Sequence, residues 1–174
     1  ACTDLNGEEQ EILTGMTHQE LPTLRNIFIE QKALGVMFEK YPGKADNAKV
    51  RQTIIQLLKN PGTTPGISFV RYEISPATCT RLLTYLKEYR ENNIGRYYSL
   101  YSRPLYGEGA GCSAFGASFL EVAGLMTPEL KDDWTINLQI PKKLVGRPFF
   151  DQKVPFWKIL TEGQTWGSNK DDSV

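Results

Sequence analysis

The chain has 174 residues, of which 40% are hydrophobic and 23% are charged. This composition is ordinary for a globular protein, and the length suits one domain that buries a core without metal or disulfide support. The 20 basic and 20 acidic residues cancel, so no net field attracts nucleic acid or an anionic membrane. We therefore expect a single domain over residues 1–174, with flexible ends at 1–10 and 164–174 and no nucleic-acid partner.

No apolar run approaches the roughly 18 residues that a membrane-spanning helix needs, so we expect no transmembrane segment. The sequence begins Ala1-Cys2-Thr3 rather than with Met, which predicts a processed or truncated chain that has lost any targeting segment. A cysteine so near the start also resembles the lipidated first residue of a mature bacterial lipoprotein. Three cysteines allow at most one disulfide, and a Cys2–Cys79 bridge is one arrangement that leaves Cys112 free.

Strand patterns dominate the first quarter of the chain. Residues 11–18 fit a short strand. Thr17 and Glu20 also fit a capping box for a brief helix, which Pro22 would interrupt. We favour the capping box over the strand. Residues 26–30 and 34–39 are rich in strand formers and predict a hairpin that ends at Pro42-Gly43.

Helical patterns follow. From Asp46 the apolar residues recur at helical spacing up to Asn60-Pro61-Gly62. Ser75 and Pro76 begin a second helix that extends to about residue 92 and shares its inner face with Cys79. A loop rich in Tyr and Gly over 93–111 leads to a third helix over 112–123, which Gly124 ends.

Three further strands are predicted at 67–74, 134–140 and 154–160, where the apolar residues alternate or are rich in strand formers. Strands grouped at both ends of the chain argue against a doubly wound parallel sheet. The predicted fold class is therefore α+β.

Cys112 is the best candidate for a reactive residue. A helix N-terminus places backbone N–H groups and the positive end of the helix dipole beside the sulfur, which favours the nucleophilic thiolate. The glycines at 107, 109 and 111 let the backbone approach a substrate closely, and the N–H groups at the helix start could hold an oxyanion. The alternative is a small buried cysteine at the start of a core helix.

Other motifs are absent. Residues 111–115 lack the second glycine of a nucleophile elbow, and the glycines at 107–111 match neither a dinucleotide fingerprint nor a phosphate-binding loop. Three separated cysteines and one histidine give no zinc-ligand spacing. We expect neither a metal nor a cofactor.

Residues 98–125 read Tyr-Ser-Leu-Tyr-Ser-Arg-Pro-Leu-Tyr-Gly-Glu-Gly-Ala-Gly-Cys-Ser-Ala-Phe-Gly-Ala-Ser-Phe-Leu-Glu-Val-Ala-Gly-Leu. This segment resembles the cysteine region of the circularly permuted papain-like hydrolases, a branch that includes NlpC-type peptidases, lecithin retinol acyltransferase-like enzymes and Lnb-type periplasmic domains. Members share a helix, a Tyr-containing loop, a cysteine that opens a helix and an Ala-Gly shortly after it. Element order matches over residues 67–125.

The resemblance implies a papain-like antiparallel sheet packed against helices in circularly permuted order. It also implies Cys112 as nucleophile and a histidine from an upstream strand as base. His18 is the only histidine, so a pair within this chain must use it. Three alternatives stay open: an exposed or helix-start His18 with no role, a base on a segment preceding Ala1, or a domain that has lost catalysis.

The residues expected to contact a substrate lie around Cys112: Tyr98, Tyr101, Glu108, Gly111 and Ser113. Tyr97 and Tyr106 belong to the same aromatic group, and core packing is the expected role for at least half of its four tyrosines.

The predicted function is that of a thiol hydrolase or acyltransferase acting on an amide or ester bond in the bacterial cell envelope. Its substrate would be a small molecule, a peptide or a lipid. The expected location is periplasmic or secreted, with a lipid anchor on the processed N-terminus as an alternative. The alternative function is a non-catalytic binding or structural domain that keeps the papain-like fold. The position of His18 relative to Cys112 distinguishes the two.

Overall fold

The computed structural model describes residues 1–19, 24–46, 48–59, 69–135 and 140–162. Within these residues the chain has a mixed α+β fold, which confirms the predicted class at that level. The strands are β1 Cys2–Thr3, β2 Glu9–Gln10, β3 Gly15–His18, β4 Tyr41–Asp46 and β5 Tyr97–Tyr98. The α-helices are α1 Leu24–Phe28, α2 Ala48–Lys59, α3 Pro76–Glu91, α4 Cys112–Ala123, α5 Pro128–Trp134 and α6 Phe156–Glu162.

Strand β4 is the centre of a three-stranded antiparallel sheet, with β3 on one side and β5 on the other. His18 pairs with Gly43, and Tyr98 pairs with Tyr41. The carbonyl oxygen of Pro42 accepts a hydrogen bond from the backbone N–H of Gln19 at 2.8 Å. The prediction that strand structure ends at Pro42-Gly43 is therefore wrong, because both residues lie inside β4.

Gly43 is the tightest point of the sheet. A Cβ atom there would lie 2.7 Å from the carbonyl oxygen of Gly95 and 2.9 Å from the backbone nitrogen of Tyr98, and it would also collide with the Met16 methyl group. Only glycine permits this approach without a shift of backbone atoms. Gly43, which suggested the end of a strand in the sequence, therefore allows neighbouring segments to pack closely in the sheet.

The core lies where the sheet meets α3 and α4. Its buried members are Met16 from β3, Leu86 and Tyr89 from α3, and Ala110 and Phe115 at the start of α4. The Tyr89 and Phe115 rings pack with their centroids 5.0 Å apart. Helix α4 is therefore fixed against β3 within one turn of its first residue.

Local signals predicted three helices, and all three are confirmed. The Ser75 hydroxyl caps α3 by accepting a hydrogen bond from the Thr78 N–H at 3.2 Å. Helix α4 begins at Cys112 and ends before Gly124, whose φ of 73° lies in the left-handed region that suits glycine. Helix α2 covers most of the amphipathic run after Asp46.

Residues 1–10 form a hairpin in which β1 pairs antiparallel with β2. The Asp4 carboxylate accepts hydrogen bonds from the backbone N–H groups of Asn6 and Glu8 within the connecting turn. The Cys2–Cys79 disulfide ties the hairpin to α3, as one predicted arrangement requires, and leaves Cys112 as a free thiol.

Residues 26–28 belong to α1 and residues 34–38 form a 3₁₀ helix, so the hairpin predicted from the runs 26–30 and 34–39 is wrong. After α1, Gln31 and Ala33 turn the chain with positive φ, and a 3₁₀ turn follows over Leu34–Phe38. A Cβ atom at Gly35 would lie 2.8 Å from the carbonyl oxygen of Gly146. Close packing of this turn on the later chain overrides the strand-forming composition.

The predicted late strands are also wrong where the structure describes them. Residues 69–75 have no strand partner, and the Phe69 and Val70 side chains are exposed. Helix α5 includes Trp134, and α6 takes the place of the strand expected at 154–160. The Phe156 ring at the start of α6 packs edge to face on Phe28, with the centroids 4.8 Å apart. The expectations for 67–68, 136–139 and 164–174 lie outside the described residues.

Within the described part of the chain, no helix has both the length and the apolar character to cross a bilayer.

We predict that Gly43→Ala destabilises the protein by about 2 kcal/mol, because the added methyl group overpacks the sheet against backbone atoms. The matched control is Gly116→Ala in the interior of α4, where an added Cβ meets no heavy atom within 4 Å. The free energy of unfolding of that variant should rise by about 1 kcal/mol, because alanine has a higher helix propensity than glycine. Urea unfolding measures both changes, and equal effects of the two substitutions would contradict the packing of Gly43.

Candidate active site

Cys112 is the first residue of α4, and its thiol is exposed. The helix has Gly111 at its N-cap position and no side-chain cap. The first intrahelical hydrogen bond runs from the Phe115 N–H to the Gly111 carbonyl at 3.0 Å. The N–H groups of residues 112–114 therefore have no acceptor within the helix, and they lie beside the sulfur at the positive end of the helix dipole.

Tyr98 contacts this thiol. Its hydroxyl donates a hydrogen bond to the Cys112 sulfur across 3.7 Å. Burial and then the interaction with the Cys112 side chain raise the pKa of Tyr98 above its ordinary value of 10.0, while the Cys112 backbone N–H opposes the rise. Tyr98 thus stays protonated at neutral pH, and its hydroxyl faces both the sulfur and the first N–H of α4.

The His18 ring packs against the ring of Tyr98. The two ring centroids are 5.6 Å apart and the rings meet edge to face at 84°. Among the described residues, the buried Nδ1 atom of His18 has no hydrogen-bond partner. No hydrogen bond joins the imidazole to the Cys112 sulfur within the same residues, so Tyr98 is the side chain that the two share.

The strand alternative for residues 11–18 is the correct one at Gly15–His18, and the favoured helix cap at Thr17 is wrong. The Thr17 hydroxyl donates to the carbonyl of Lys44 at 3.3 Å instead of capping a helix. The reason is the pairing of β3 with β4, which local sequence does not reveal. This pairing brings His18 to the Cys112 side of the molecule.

The glycines before Cys112 have a structural role. A Cβ atom at Gly109, whose φ is 102°, would lie 2.9 Å from the Cβ of Tyr97, and one at Gly111 would lie 2.9 Å from the carbonyl oxygen of Ser99. Between them, the Ala110 N–H donates to the Tyr97 carbonyl at 3.1 Å. The close approach predicted for a substrate is thus made by the protein's own backbone at 109 and 111.

Glu108 organises the same loop. Its carboxylate accepts hydrogen bonds from the backbone N–H of Arg103 at 3.0 Å and from the guanidinium at 3.1 Å (Nε) and 2.5 Å (Nη2). These contacts lower the pKa of Glu108 to about 2. Glu108 therefore braces the turn that precedes Cys112, and Arg103 is a member of the site region that the sequence did not single out.

Of the remaining predicted residues, Ser113 lies nearest the thiol in sequence and in space. Ser113 is exposed, and its hydroxyl oxygen lies 3.9 Å from the Cys112 sulfur. Tyr97, Tyr101 and Tyr106 are exposed, so core packing for half of the four tyrosines is wrong. Cationic side chains lie over two of these rings, Arg96 and Lys40 at Tyr97 and Arg103 at Tyr106.

Among the described residues, no group of three or more His, Cys, Asp or Glu side chains is arranged to hold a metal ion. No protein-family model matches the sequence, and neither curated proteins nor solved structures show a significant similarity to it. The class of the protein is therefore the α+β fold described above, and its function has to be inferred from the arrangement of Cys112, Tyr98 and His18.

We predict that the Glu108 carboxyl titrates near pH 2 in the folded protein, because its ion pair and hydrogen bonds favour the charged form. The stabilisation that the Glu108–Arg103 contacts give the fold is fully present above the ordinary Glu pKa of 4.5. It is lost as the pH falls through about 2, where the carboxylate becomes protonated. Carbon-13 NMR titration of the carboxyl measures this midpoint. Arg103→Ala should return it toward 4.5, and a wild-type midpoint near 4.5 would refute the brace.

Proposed function

We propose that the chain is a papain-like thiol hydrolase or acyltransferase that acts on an amide or ester bond in the bacterial cell envelope. The observation that carries this proposal is the contact of Tyr98 with both Cys112 and His18. These residues come from a helix start and two strands that are distant in sequence. Their order along the chain, histidine strand first and cysteine helix later, is the order expected of the permuted branch.

The unpartnered nitrogen of His18 supports its role as base. A buried imidazole nitrogen without a hydrogen bond costs roughly 1–3 kcal/mol, so its persistence needs a physical reason. A base that accepts the thiol proton when a substrate is bound provides one. Apo sites are commonly looser than the complexes in which the proton moves.

The proposed reaction begins when His18 takes the proton of the Cys112 thiol. The sulfur attacks the substrate carbonyl carbon, and the carbonyl π electrons move to oxygen. The N–H groups at the start of α4 and the Tyr98 hydroxyl donate hydrogen bonds to this oxyanion. As the intermediate collapses, the C–N or C–O bond breaks, and the amine or alcohol leaves with the proton from His18.

A thioester between the acyl group and Cys112 remains. His18 then takes a proton from water, for hydrolysis, or from an acceptor alcohol or amine, for transfer. The activated oxygen or nitrogen attacks the thioester, and the departing Cys112 sulfur recovers its proton from His18.

The Cys2–Cys79 disulfide supports an envelope or extracellular location. Structural disulfides form and persist mainly in oxidising compartments such as the bacterial periplasm. Because this bond uses the Cys2 sulfur, it and a thioether-linked lipid on Cys2 exclude each other. We therefore favour a periplasmic or secreted protein that is not anchored through Cys2.

We predict that the protein hydrolyses a p-nitrophenyl ester and that Cys112→Ala abolishes this turnover. His18→Ala should lower kcat by about 10²–10⁴-fold because the general base is removed. Tyr98→Phe should lower it by about 10²–10³-fold, since one oxyanion donor is lost. Release of p-nitrophenolate measures the rate, and thermal unfolding of each variant verifies its fold.

Tyr106→Phe is the matched control for Tyr98→Phe, because Tyr106 is an exposed tyrosine of the same loop and should keep the wild-type rate. Wild-type turnover by Cys112→Ala would exclude the thiol as nucleophile. Absence of turnover in the wild type, with ligand binding kept by Cys112→Ala, would favour the non-catalytic binding domain.

A further inference from the structure

An apolar groove of about 410 Å³ lies along α4, on the side that faces α3 and the N-terminal hairpin. One wall is the segment 12–14 that leads into β3, the second is the leucine face of α3, and the third is formed by Phe115, Gly116 and Phe119 of α4. The end of the β1–β2 hairpin, including Cys2, closes one side. The groove is thus built by elements that the core and the disulfide hold together.

The groove begins one helical turn from the candidate nucleophile. Cys112 and Gly116 are four residues apart and therefore share a face of α4, about 6 Å apart along the helix axis. Both are exposed, and a Cβ atom at Gly116 would meet open space. The space over Gly116, between Cys112 and the groove, is therefore open to a molecule whose reacting carbonyl lies at the Cys112 sulfur.

The lining selects an apolar chain. Among the described residues, no charged side chain lines the groove, its polar side chains are those of Gln10 and Thr14, and Ala1 lies at its edge. Ile12 and Leu13 are 42% and 36% exposed, so an apolar ligand would remove hydrophobic surface from water. The volume falls within the range of about 300–1,000 Å³ that is typical of small-molecule sites. A stable dimer would instead need a surface of about 800 Å² from each partner.

We propose that this groove binds the hydrocarbon chain of an acyl substrate, so that the proposed thiol chemistry acts on a lipid ester or lipid amide. The inference rests on the proposed function for the position of the carbonyl at Cys112. The chain lies between α3 and α4, and Gly116 is the specificity-determining residue at its entrance.

The test is the binding of cis-parinaric acid, a fluorescent long-chain fatty acid, to the full chain carrying Cys112→Ala. This background removes the thiol, so the result is independent of whether Cys112 is a nucleophile. We expect saturable binding that palmitate displaces and hexanoate does not, because each additional buried methylene group adds affinity. Absence of saturable binding would overturn the proposal, even if the ester assay confirms the thiol as nucleophile.

Two variants locate the ligand. Gly116→Trp fills the entrance and should weaken binding by about tenfold or more. If Gly116→Trp does not fold, Ile12→Asp takes its place as the test. It puts a charge on the opposite wall at an exposed position and should weaken binding to a similar extent. The control is Glu121→Trp, which adds the same side chain at an exposed position of α4 outside the groove and should change affinity less than twofold.

Equal affinities of the Gly116→Trp and Glu121→Trp proteins, both folded, would overturn the proposal. Sedimentation velocity tests a second copy of the chain as the occupant. A concentration-dependent dimer that Gly116→Trp dissociates would also overturn it, because the groove would then be a subunit interface.

Discussion

The close approach of three strands at Gly43 is the constraint on which the candidate site depends. The position that a side chain would occupy is already filled by the Met16 methyl group and by backbone atoms of Gly95 and Tyr98. The same residue pairs with His18 in β3. Gly43 thereby sets how near the His18 strand comes to the Tyr98 strand, and with it whether the imidazole can reach the region of the thiol.

Packing in the core fixes the position of Cys112 relative to β3. Met16 from β3 packs in one cluster with Phe115 from α4 and Tyr89 from α3. Since Phe115 lies one turn after Cys112, the packing that holds the helix also holds the sulfur beside Tyr98. The glycines at 109 and 111 permit the preceding loop to lie against β5, and the Arg103–Glu108 pair closes that loop.

Sequence predicted the parts of this structure that local chemistry determines. The Ser75-Pro76 start of α3 and the Gly124 end of α4 are each specified within a few residues, because caps satisfy backbone groups of the adjoining turn. The start of α4 at Cys112 was predicted as well, and its free thiol corresponds to one predicted arrangement, in which Cys2 pairs with Cys79. The sheet was not predicted, because Tyr41-Pro42-Gly43 has the composition of a turn and becomes a central strand only through long-range pairing. Residues 26–39 and 154–160 show the converse, since strand-forming side chains there are used in helical packing.

The central claim is that His18 and Tyr98 act on the Cys112 thiol. The most direct measurement is the rate of alkylation by iodoacetamide near neutral pH, followed by intact mass spectrometry, because it needs no knowledge of the substrate. We expect a single adduct, on Cys112, because Cys2 and Cys79 are joined in a disulfide. We expect the alkylation rate of His18→Ala to be about tenfold lower than that of the wild type, because the group proposed to accept the thiol proton is gone. Equal rates for wild type and His18→Ala, with both proteins folded, would contradict it.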